Sequence, residues 1–326
     1  MNIARLDHSQ ITVRRAIELA SRAPSVHNSQ PWRWYLGERS VHLYADLRRW
    51  LPATDHDGRD LMLSCGAVLH HLRIALAASG VGATVRRMPN PDEPDHLAAV
   101  ELRSGRAPGA DLGLASAIST RRTDRRSYHD WPVPEAFLAE LTSAAAAQGA
   151  TLRVIGDTRA HNQVMHAIRE AAKAQSEISG YDTELALWTG RDASPDGIPT
   201  ANLPANPGGV AAGRRFRPGE LADHSAGTDR ARLLVLGATS DDPLSQLRAG
   251  EALSAVLLSA TESGLATCPL SQPLEIGTTR RYLRDAVLGG TLSPQLIIRV
   301  GWAPSGPPPP ATPRRAPADT IEDLPR

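Results

Sequence analysis

Two long apolar segments, 60–79 and 244–263, constrain the fold of this chain more than any other feature of its sequence. Each carries apolar residues on nearly every helical face, which is typical of a helix buried on all sides. A constant offset of 184 residues aligns the two segments without a gap and matches Gly66 with Gly250. Both segments end in Ser-Gly followed by an aliphatic residue. The sequence therefore predicts an internal duplication built around two buried helices.

The rest of the chain alternates between helical and strand patterns, which predicts the α+β class. Apolar spacing predicts helices at 12–21, 60–79, 134–147, 160–186 (as one helix or a pair) and 244–263, and strands at 41–44, 97–102, 151–155, 232–236 and 296–300. At roughly 150 residues per domain, 326 residues suffice for about two domains. We assign them to the halves of the duplication, 1–115 and 116–326, the second ending in an extended, proline-rich tail at 305–326.

The charge composition argues against a protein built to coat nucleic acid or an anionic membrane. The chain has 36 basic and 35 acidic side chains, for a formal net charge of +1. Lys173 is the only lysine, so a bound phosphate would be held by arginine side chains or by backbone N–H groups.

The cysteine content and the N-terminal pattern predict a cytoplasmic protein. Cys65 and Cys268 are too few for a disulfide framework or a cysteine-rich zinc site, which favours a reducing compartment. Residues 1–16 carry charges throughout, so no signal peptide is expected, and no apolar run is long enough to predict a transmembrane helix. The segment 55–58 lacks the later glutamate of a calcium loop, and the histidines 70–71 are predicted as core residues, so no metal site is expected.

The loop 22–32 carries a dense set of neutral hydrogen-bonding side chains. Pro24 and Pro31 restrain its backbone, since each proline fixes its own φ and restricts the residue before it. Between them stand Ser25, His27, Asn28 and Gln30. Such a set suits a flat heteroaromatic ring edged with carbonyls and ring nitrogens. An ordinary polar loop with a capping Ser or Asn explains the composition equally well.

Basic residues cluster at 121–126, where the sequence reads Arg-Arg-Thr-Asp-Arg-Arg. Four guanidinium groups and the Thr123 hydroxyl within six residues could clamp a phosphate. A solvated charge run is the alternative interpretation, and it applies equally to Arg314 and Arg315 in the tail.

The segment that follows the second buried helix contains Pro269, Leu270 and Ser271. Pro269 has no N–H to donate, but the next two residues do, and a stiff turn would hold their N–H groups in set directions. The pattern predicts a turn that aims backbone donors at the edge of a ligand.

Together these motifs resemble the flavin-dependent nitroreductase family. That family has a Pro-Ser-x-x-Asn-x-Gln-Pro-Trp loop, an Arg-x-Ser-x-Arg/Lys stretch, a buried helix ending in Gly-Leu, a proline-containing turn and a basic tail. The matching residues are Pro24, Ser25, Asn28, Gln30, Pro31 and Trp32 in the loop; Arg121, Thr123 (in place of Ser) and Arg125 in the stretch; and Gly264, Leu265, Pro269, Leu270, Ser271 and Arg314 or Arg315 further on. The resemblance covers most of the chain.

The order of the motifs departs from the family, because the arginine stretch follows the loop by about 90 residues instead of preceding it. Family members are homodimers whose flavins lie at the interface, with the phosphate on one subunit and the ring against the loop of the other. A fused duplication in which each half kept one part implies a single complete flavin site. This arrangement looks like that of the Acg-type actinobacterial nitroreductase-like proteins, and 55–59, 188–191 and 301–304 fit that subgroup too.

The resemblance implies FMN as the cofactor and suggests which residues bind it. Its phosphate would be held by Arg121, Thr123 and Arg125, with Arg315 or the adjacent Arg314 as the tail cation. Its isoalloxazine ring would be lined and bonded by Pro24, Ser25, His27 and Asn28. The backbone of Leu270 and Ser271, after Pro269, would reach the N5/O4 edge, where a donor stabilises the charge of reduced flavin. Because the cofactor carries the redox chemistry, no catalytic acid, base or nucleophile is assigned.

The resemblance further implies a two-electron oxidoreductase in which NAD(P)H reduces the flavin and a small electron-poor acceptor, such as a nitroaromatic or a quinone, is reduced in turn. An internal pseudo-dimer implies a monomer that binds neither nucleic acid nor membrane. The alternative is a flavin-sequestering protein with little or no turnover. It is motivated by 189–228, a Gly- and Pro-rich stretch long enough to cover the flavin as a lid. The acceptor and the choice between NADH and NADPH stay open.

Overall fold

Helices and strands alternate along the chain, and the predicted α+β class is confirmed. The computed structural model describes residues 3–103, 112–206, 214, 216–223 and 229–324, with side chains from residue 10 onward. The helices are α1 (Ile3–Ala20), α2 (Arg59–Ala78), α3 (Leu112–Thr120), α4 (Glu135–Ala146), α5 (Thr158–Ser176), α6 (Tyr181–Leu187), α7 (Pro243–Glu262), α8 (Gln272–Glu275) and α9 (Gly277–Ala286). The strands are β1 (Trp32–Leu36), β2 (Ser40–Ala45), β3 (Gly82–Arg87), β4 (His96–Arg103), β5 (Thr151–Val154), β6 (Arg232–Ala238), β7 (Leu265–Leu270), β8 (Ser293–Trp302) and β9 (Ile321–Asp323).

Two sheets form the frame, and each packs against one of the long apolar helices. The strand order is β3-β4-β2-β1-β9 in the first sheet and β5-β6-β8-β7 in the second. Neighbouring strands are antiparallel except β1 and β9, which pair in parallel. Trp32 and Trp34 of β1 are fully buried in one core with α2, while β6 and β8 share a second core with α7. An apolar helix that packs on one face of a sheet buries the apolar side chains of the helix and of that sheet face.

The helices α2 and α7 cross at Gly66 and Gly250, and their contact is reciprocal. A Cβ atom on Gly66 would lie 2.0 Å from the carbonyl oxygen of Leu247, and one on Gly250 would lie 2.2 Å from the carbonyl oxygen of Leu63. Leu247 follows Leu63 by the same 184 residues that relate the two glycines. The two contacts are therefore one contact seen from either side of a pseudo-two-fold axis. The packing has the symmetry that the predicted duplication requires.

The C-terminal tail crosses back to the first half of the chain. The sequence predicts an extended tail, and its end forms β9, which joins the first sheet by pairing Ile321 with Trp34. The predicted boundary between residues 115 and 116 falls inside α3, which packs against both α2 and α7. Helix α3 therefore crosses the predicted boundary and packs against one long helix from each side of it.

Some elements differ from the sequence-based prediction. Gly80, at φ 75°, belongs to the Ser-Gly pair at the end of the first apolar segment and follows α2 directly, and β3 begins at Gly82, where the apolar spacing predicted no strand. The turn predicted at Pro269 is wrong, because Pro269 lies inside β7 and pairs with Ile298 of β8. This strand is at the edge of its sheet, where a residue without an N–H is tolerated.

Helix α2 carries one wall of the candidate site. The carboxylate of Asp55 caps its start, accepting from the backbone N–H groups of Asp60 at 2.9 Å and Leu61 at 2.8 Å. Among the described residues, α2 is the one helix long and apolar enough to cross a membrane, but its most apolar 18-residue window is 72% buried inside the protein. It is therefore a core helix, begun by the acidic segment 55–58.

Candidate functional site

Two adjoining cavities lie where the loop after α1, the arginine stretch and β7 come together. The inner cavity also has walls from α2, α7 and β8, including Leu63, Leu253 and Leu296. The second, here called the basic cavity, lies between the arginine stretch and the tail segment 310–314. The residues that line both cavities are Pro24, Ser25, Thr123 and Arg125. A ligand can therefore extend from one cavity into the other.

Backbone strain in the loop brings His27 into the inner cavity. His27, Asn28 and Gln30 all adopt the left-handed region, at φ 47°, 57° and 51°, which is costly for residues with side chains. The conformation is held by the Ser25 hydroxyl, which accepts from Gln30 N at 2.9 Å. His27 is buried, and neither ring nitrogen has a hydrogen-bond partner among the described residues. Burial, with Arg214 and Arg125 nearby, holds its pKa well below the usual value, so the imidazole is neutral.

Asn28 is engaged differently from the prediction that it bonds the ring of a ligand. Its amide donates to the carbonyl oxygens of Gly197 at 2.9 Å and Pro313 at 3.2 Å. The side chain lines the basic cavity and not the inner one. Asn28 therefore ties the loop to the segment 189–228 and to the tail.

The arginine stretch is docked against β7 by backbone pairing. Thr123 forms an isolated bridge with Thr267, and Asp124 N donates to the Thr267 carbonyl at 2.9 Å. Arg121, Arg122, Thr123 and Arg125 line the basic cavity, while Arg126 donates to the Asp124 carboxylate at 3.0 and 2.7 Å.

Arginines surround the basic cavity without carboxylates to balance them. They are Arg22, Arg121, Arg122, Arg125 and Arg314. None forms an ion pair within the part of the chain that the structure describes. Burial and the neighbouring arginines lower the pKa of Arg121 to about 10 and that of Arg314 to about 9. Such a group is complementary to an anion, above all one with several oxygens.

The two tail arginines, Arg314 and Arg315, occupy different places. Arg314 lines the basic cavity and is held by the Ser21 carbonyl, to which its Nε donates at 2.9 Å. Arg315 lines neither cavity, contrary to its assignment to a phosphate. Its guanidinium donates to the carbonyls of Gln30 at 3.2 Å and Trp32 at 3.3 Å, so it secures the tail against the loop.

The far wall of the inner cavity comes from the end of β7 and from the segment 189–228. The predicted residues Pro269, Leu270 and Ser271 line the cavity, but they lie at the end of strand β7 and not in a turn. Phe216 lines it too, 5.1 Å from the Arg125 guanidinium and edge-on to His27 at 6.3 Å between ring centres. An aromatic ring from the 189–228 segment therefore forms part of the wall of this cavity.

A buried ion pair anchors that segment. Arg214 pairs with Glu275 of α8 and donates to the Tyr181 hydroxyl at 2.5 Å. Glu275 also accepts from the Ser271 hydroxyl at 2.7 Å. The anchor thus reaches the same β7 end that lines the inner cavity.

Comparison with known proteins identifies the family. No family model matches the sequence. A protein of Mycobacterium tuberculosis (strain ATCC 25618 / H37Rv) named "Putative NAD(P)H nitroreductase Rv3131" is 43% identical over 316 residues, which are 95% of this chain and 91% of that protein. Another from the same strain, "Putative NAD(P)H nitroreductase acg", is 40% identical over 315 residues, 95% of this chain and 94% of that protein. The chain belongs to the Acg-type nitroreductase family.

The resemblance drawn from the motifs is thereby confirmed. Among solved structures, the FMN and NADPH-dependent nitroreductase NfnB from sphigopyxis sp. strain HMH is 18% identical. The match spans 64% of this chain and 97% of that one, with a TM-score of 0.42.

In this Acg-type protein, residues far apart along the chain line the two adjoining cavities. Pro24, Ser25 and His27 come from the first half, and Arg121, Thr123 and Arg125 come from the start of the second. The tail then returns to add Arg314.

Sequence patterns did not single out several residues of the site. They are Asp60, Asn202, Arg214, Phe216, Gln272 and Glu275. Phe216 and Arg214 lie in 189–228, whose length and composition had indicated a functional segment but no particular residue. Asp60 belongs to the apolar helix α2, where a carboxylate in the first turn looks like an ordinary helix start.

Proposed function

We propose that this Acg-type protein binds one FMN, with the phosphate in the basic cavity and the isoalloxazine ring in the inner cavity. The observation that carries the proposal is the group of five arginines around the basic cavity, unpaired among the described residues. A phosphate dianion would offset the burial and the mutual repulsion that together lower the pKa values of Arg121 and Arg314. His27 lines the adjoining inner cavity, and neither of its ring nitrogens has a hydrogen-bond partner among the described residues, which supports a ligand that continues into that cavity.

The residues present fit this cofactor. Arg121, Arg125 and Arg314 would bind the phosphate, with the Thr123 hydroxyl beside them. Ser25 and the neutral His27 would face the ring, and the end of β7 would border one of its edges. When bound, FMN supplies two-electron redox chemistry, so the chain's own residues have to bind it, orient it and exclude water.

We propose NAD(P)H as the electron donor and a nitroaromatic or quinone-type compound as the acceptor. The support for the donor is the NAD(P)H nitroreductase name carried by both relatives. The acceptor class follows the same names and is a proposal for this chain.

The first experiment tests cofactor and donor together. FMN-loaded protein, mixed without oxygen with NADH and separately with NADPH, should lose the absorption band of oxidised flavin with at least one of them. In the double variant Arg121→Met/Arg125→Met each lost charge-assisted bond should weaken FMN binding about 10- to 100-fold. Arg281→Met, an exposed arginine on α9, is the matched control and should bind like the wild type. Equal FMN affinity in the double variant and the control would contradict the placement of the phosphate.

The second candidate function is FMN sequestration with little turnover. The observation that favours it is Phe216, which 189–228 places in the inner cavity beside Arg125 and His27. If the segment covers bound FMN, Phe216→Ala should speed flavin reduction by NAD(P)H in stopped-flow measurements. Tyr282→Ala, on α9, is the control. Equal rates in the wild type and Phe216→Ala would remove the sequestration proposal.

We also propose a cytoplasmic monomer that binds a small molecule and neither nucleic acid nor membrane. The reciprocal crossing of α2 and α7 supports the monomer, because it supplies within one chain the contact that two subunits would otherwise make. Light scattering should then give the 34.9 kDa of a single chain, and twice that mass would contradict it.

A further inference from the structure

Asp60, in the first turn of α2, places a carboxylate in the wall of the inner cavity. Its side chain is 3% exposed, and neither carboxylate oxygen receives a hydrogen bond from the described residues. Arg59 NH2 lies 2.8 Å from Asp60 Oδ1 and compensates the charge, but the approach lacks hydrogen-bond geometry. Leaving the acceptors of a buried carboxylate unmet is costly. The group is therefore placed to accept a hydrogen bond from a ligand.

The surroundings of Asp60 show which end of the cavity it occupies. Asp60 lines the inner cavity but not the basic one, so it lies away from the arginine cluster. Ser64, one turn further along α2, is already engaged: its hydroxyl donates to the Asp60 carbonyl at 2.6 Å and accepts from Val26 N at 3.2 Å. Arg214 and Gln272 line the same cavity. Arg214 already donates to Tyr181 and Glu275, and Gln272 Nε2 donates to Gln175 Oε1 at 2.7 Å, but each side chain has a further N–H group to donate. A ligand edge that suits this wall has a donor for the carboxylate and acceptors for its neighbours.

We propose that Asp60 accepts a hydrogen bond from the imide N3–H of FMN and so determines which edge of the ring faces α2. This inference rests on the proposed function. The oxidised isoalloxazine has a single ring N–H, at N3, between two carbonyl groups, whereas its dimethylbenzene edge has no donor. With the dimethylbenzene edge against Asp60, both carboxylate oxygens would stay unmet. With the imide edge there, one oxygen is satisfied and the two carbonyls are left to donors in the same wall.

The test compares FMN with 3-methyl-FMN, in which a methyl group replaces the N3 proton. Wild-type apoprotein and Asp60→Ala are titrated with each flavin, and flavin fluorescence gives the dissociation constants. We expect N3-methylation to weaken binding to the wild type about 10- to 100-fold, the range for a hydrogen bond to a charged group. In Asp60→Ala the acceptor is absent, so most of that penalty should vanish. With ¹⁵N-labelled FMN, the N3 proton resonance should shift upfield in the same variant.

Asp57→Ala is the matched control. Asp57 lies three residues earlier, pairs with Arg280 at 2.7 Å and lines neither cavity, so this variant should keep the wild-type preference for FMN. Asp60→Asn keeps the shape of the side chain and a weaker acceptor, so its N3-methyl penalty should fall between those of the wild type and Asp60→Ala. If thermal unfolding shows that Asp60→Ala does not fold, the N3-methyl penalty of Asp60→Asn is compared with that of the wild type instead.

Two results would overturn the assignment. One is equal affinity of the wild type for FMN and 3-methyl-FMN. The other is an undiminished N3-methyl penalty in the Asp60 variant that is read. Failure of the wild type to bind FMN at all would instead refute the proposed function, so the two failures are distinguishable.

Discussion

Replacing Arg121 with methionine should stabilise the apoprotein while weakening FMN binding. Arg121 is 6% exposed and pairs with no carboxylate in the described part of the chain. Burial, and then the charges of Arg122 and Arg22, lower its pKa from the ordinary 12.5 to about 10. A pKa lowered by this much corresponds to about 3 kcal/mol against the charged form in the folded state. Methionine fills similar space without a charge, so the free energy of unfolding should rise by as much as about 3 kcal/mol.

Arg126 provides the matched control, five residues later in the same stretch. It is equally buried, but it donates to both oxygens of the buried Asp124 carboxylate, at 3.0 and 2.7 Å. Arg126→Met leaves that carboxylate without its cation, which costs about 3–5 kcal/mol for a buried pair. The same substitution should therefore have opposite effects on stability at the two positions.

Urea unfolding of the apoprotein, with and without FMN, measures both effects. At an FMN concentration 100 times the wild-type Kd, binding adds about 2.7 kcal/mol to the free energy of unfolding. If Arg121→Met raises Kd about 10- to 100-fold, the same FMN concentration adds only about 0.4–1.4 kcal/mol. An Arg121→Met apoprotein less stable than the wild type would refute the reasoning that Arg121 is an uncompensated charge held ready for an anion.

Three further predictions concern other parts of the molecule. Gly66→Ala should destabilise the protein by about 3 kcal/mol in urea unfolding, because its Cβ would lie 2.0 Å from the Leu247 carbonyl oxygen of α7. Gly156→Ala is the control: the nearest atom to its Cβ would be 3.9 Å away, so the free energy of unfolding should change by less than about 0.5 kcal/mol. Burial raises the pKa of Glu275 to about 7, above its ordinary 4.5, so its contribution to stability is complete below pH 4.5 and is lost as the pH rises through 7. The difference in unfolding free energy between pH 5 and pH 8 should consequently be smaller in Glu275→Gln than in the wild type. An unchanged difference would show that other titrating groups cause the pH dependence. Arg315→Met should lower the melting temperature and leave the FMN Kd unchanged, because Arg315 donates to the Gln30 carbonyl and lines neither cavity. Weaker FMN binding in this variant would show that Arg315 contacts the phosphate after all.

The sequence by itself determined the features that depend on local pattern. The segments 60–79 and 244–263 are apolar on all sides, and a helix of that kind has to be buried whatever surrounds it. Their constant offset predicted the matched pair Gly66 and Gly250, which the structure places at the helix crossing. The loop and the arginine stretch were recognisable because unusual residue types stand close together along the chain.

Only the tertiary structure decided how these pieces meet. The bridge from Thr123 to Thr267 docks the arginine stretch on β7, and the tail places Arg314 in the basic cavity while Arg315 lines neither cavity. Pairing with β8 draws Pro269 into a strand that local pattern reads as a turn. Periodicity reports which side of a segment is buried, but a long-range pairing determines what it is buried against. For the same reason the unmet acceptors of Asp60 are visible only once the walls of the inner cavity are assembled.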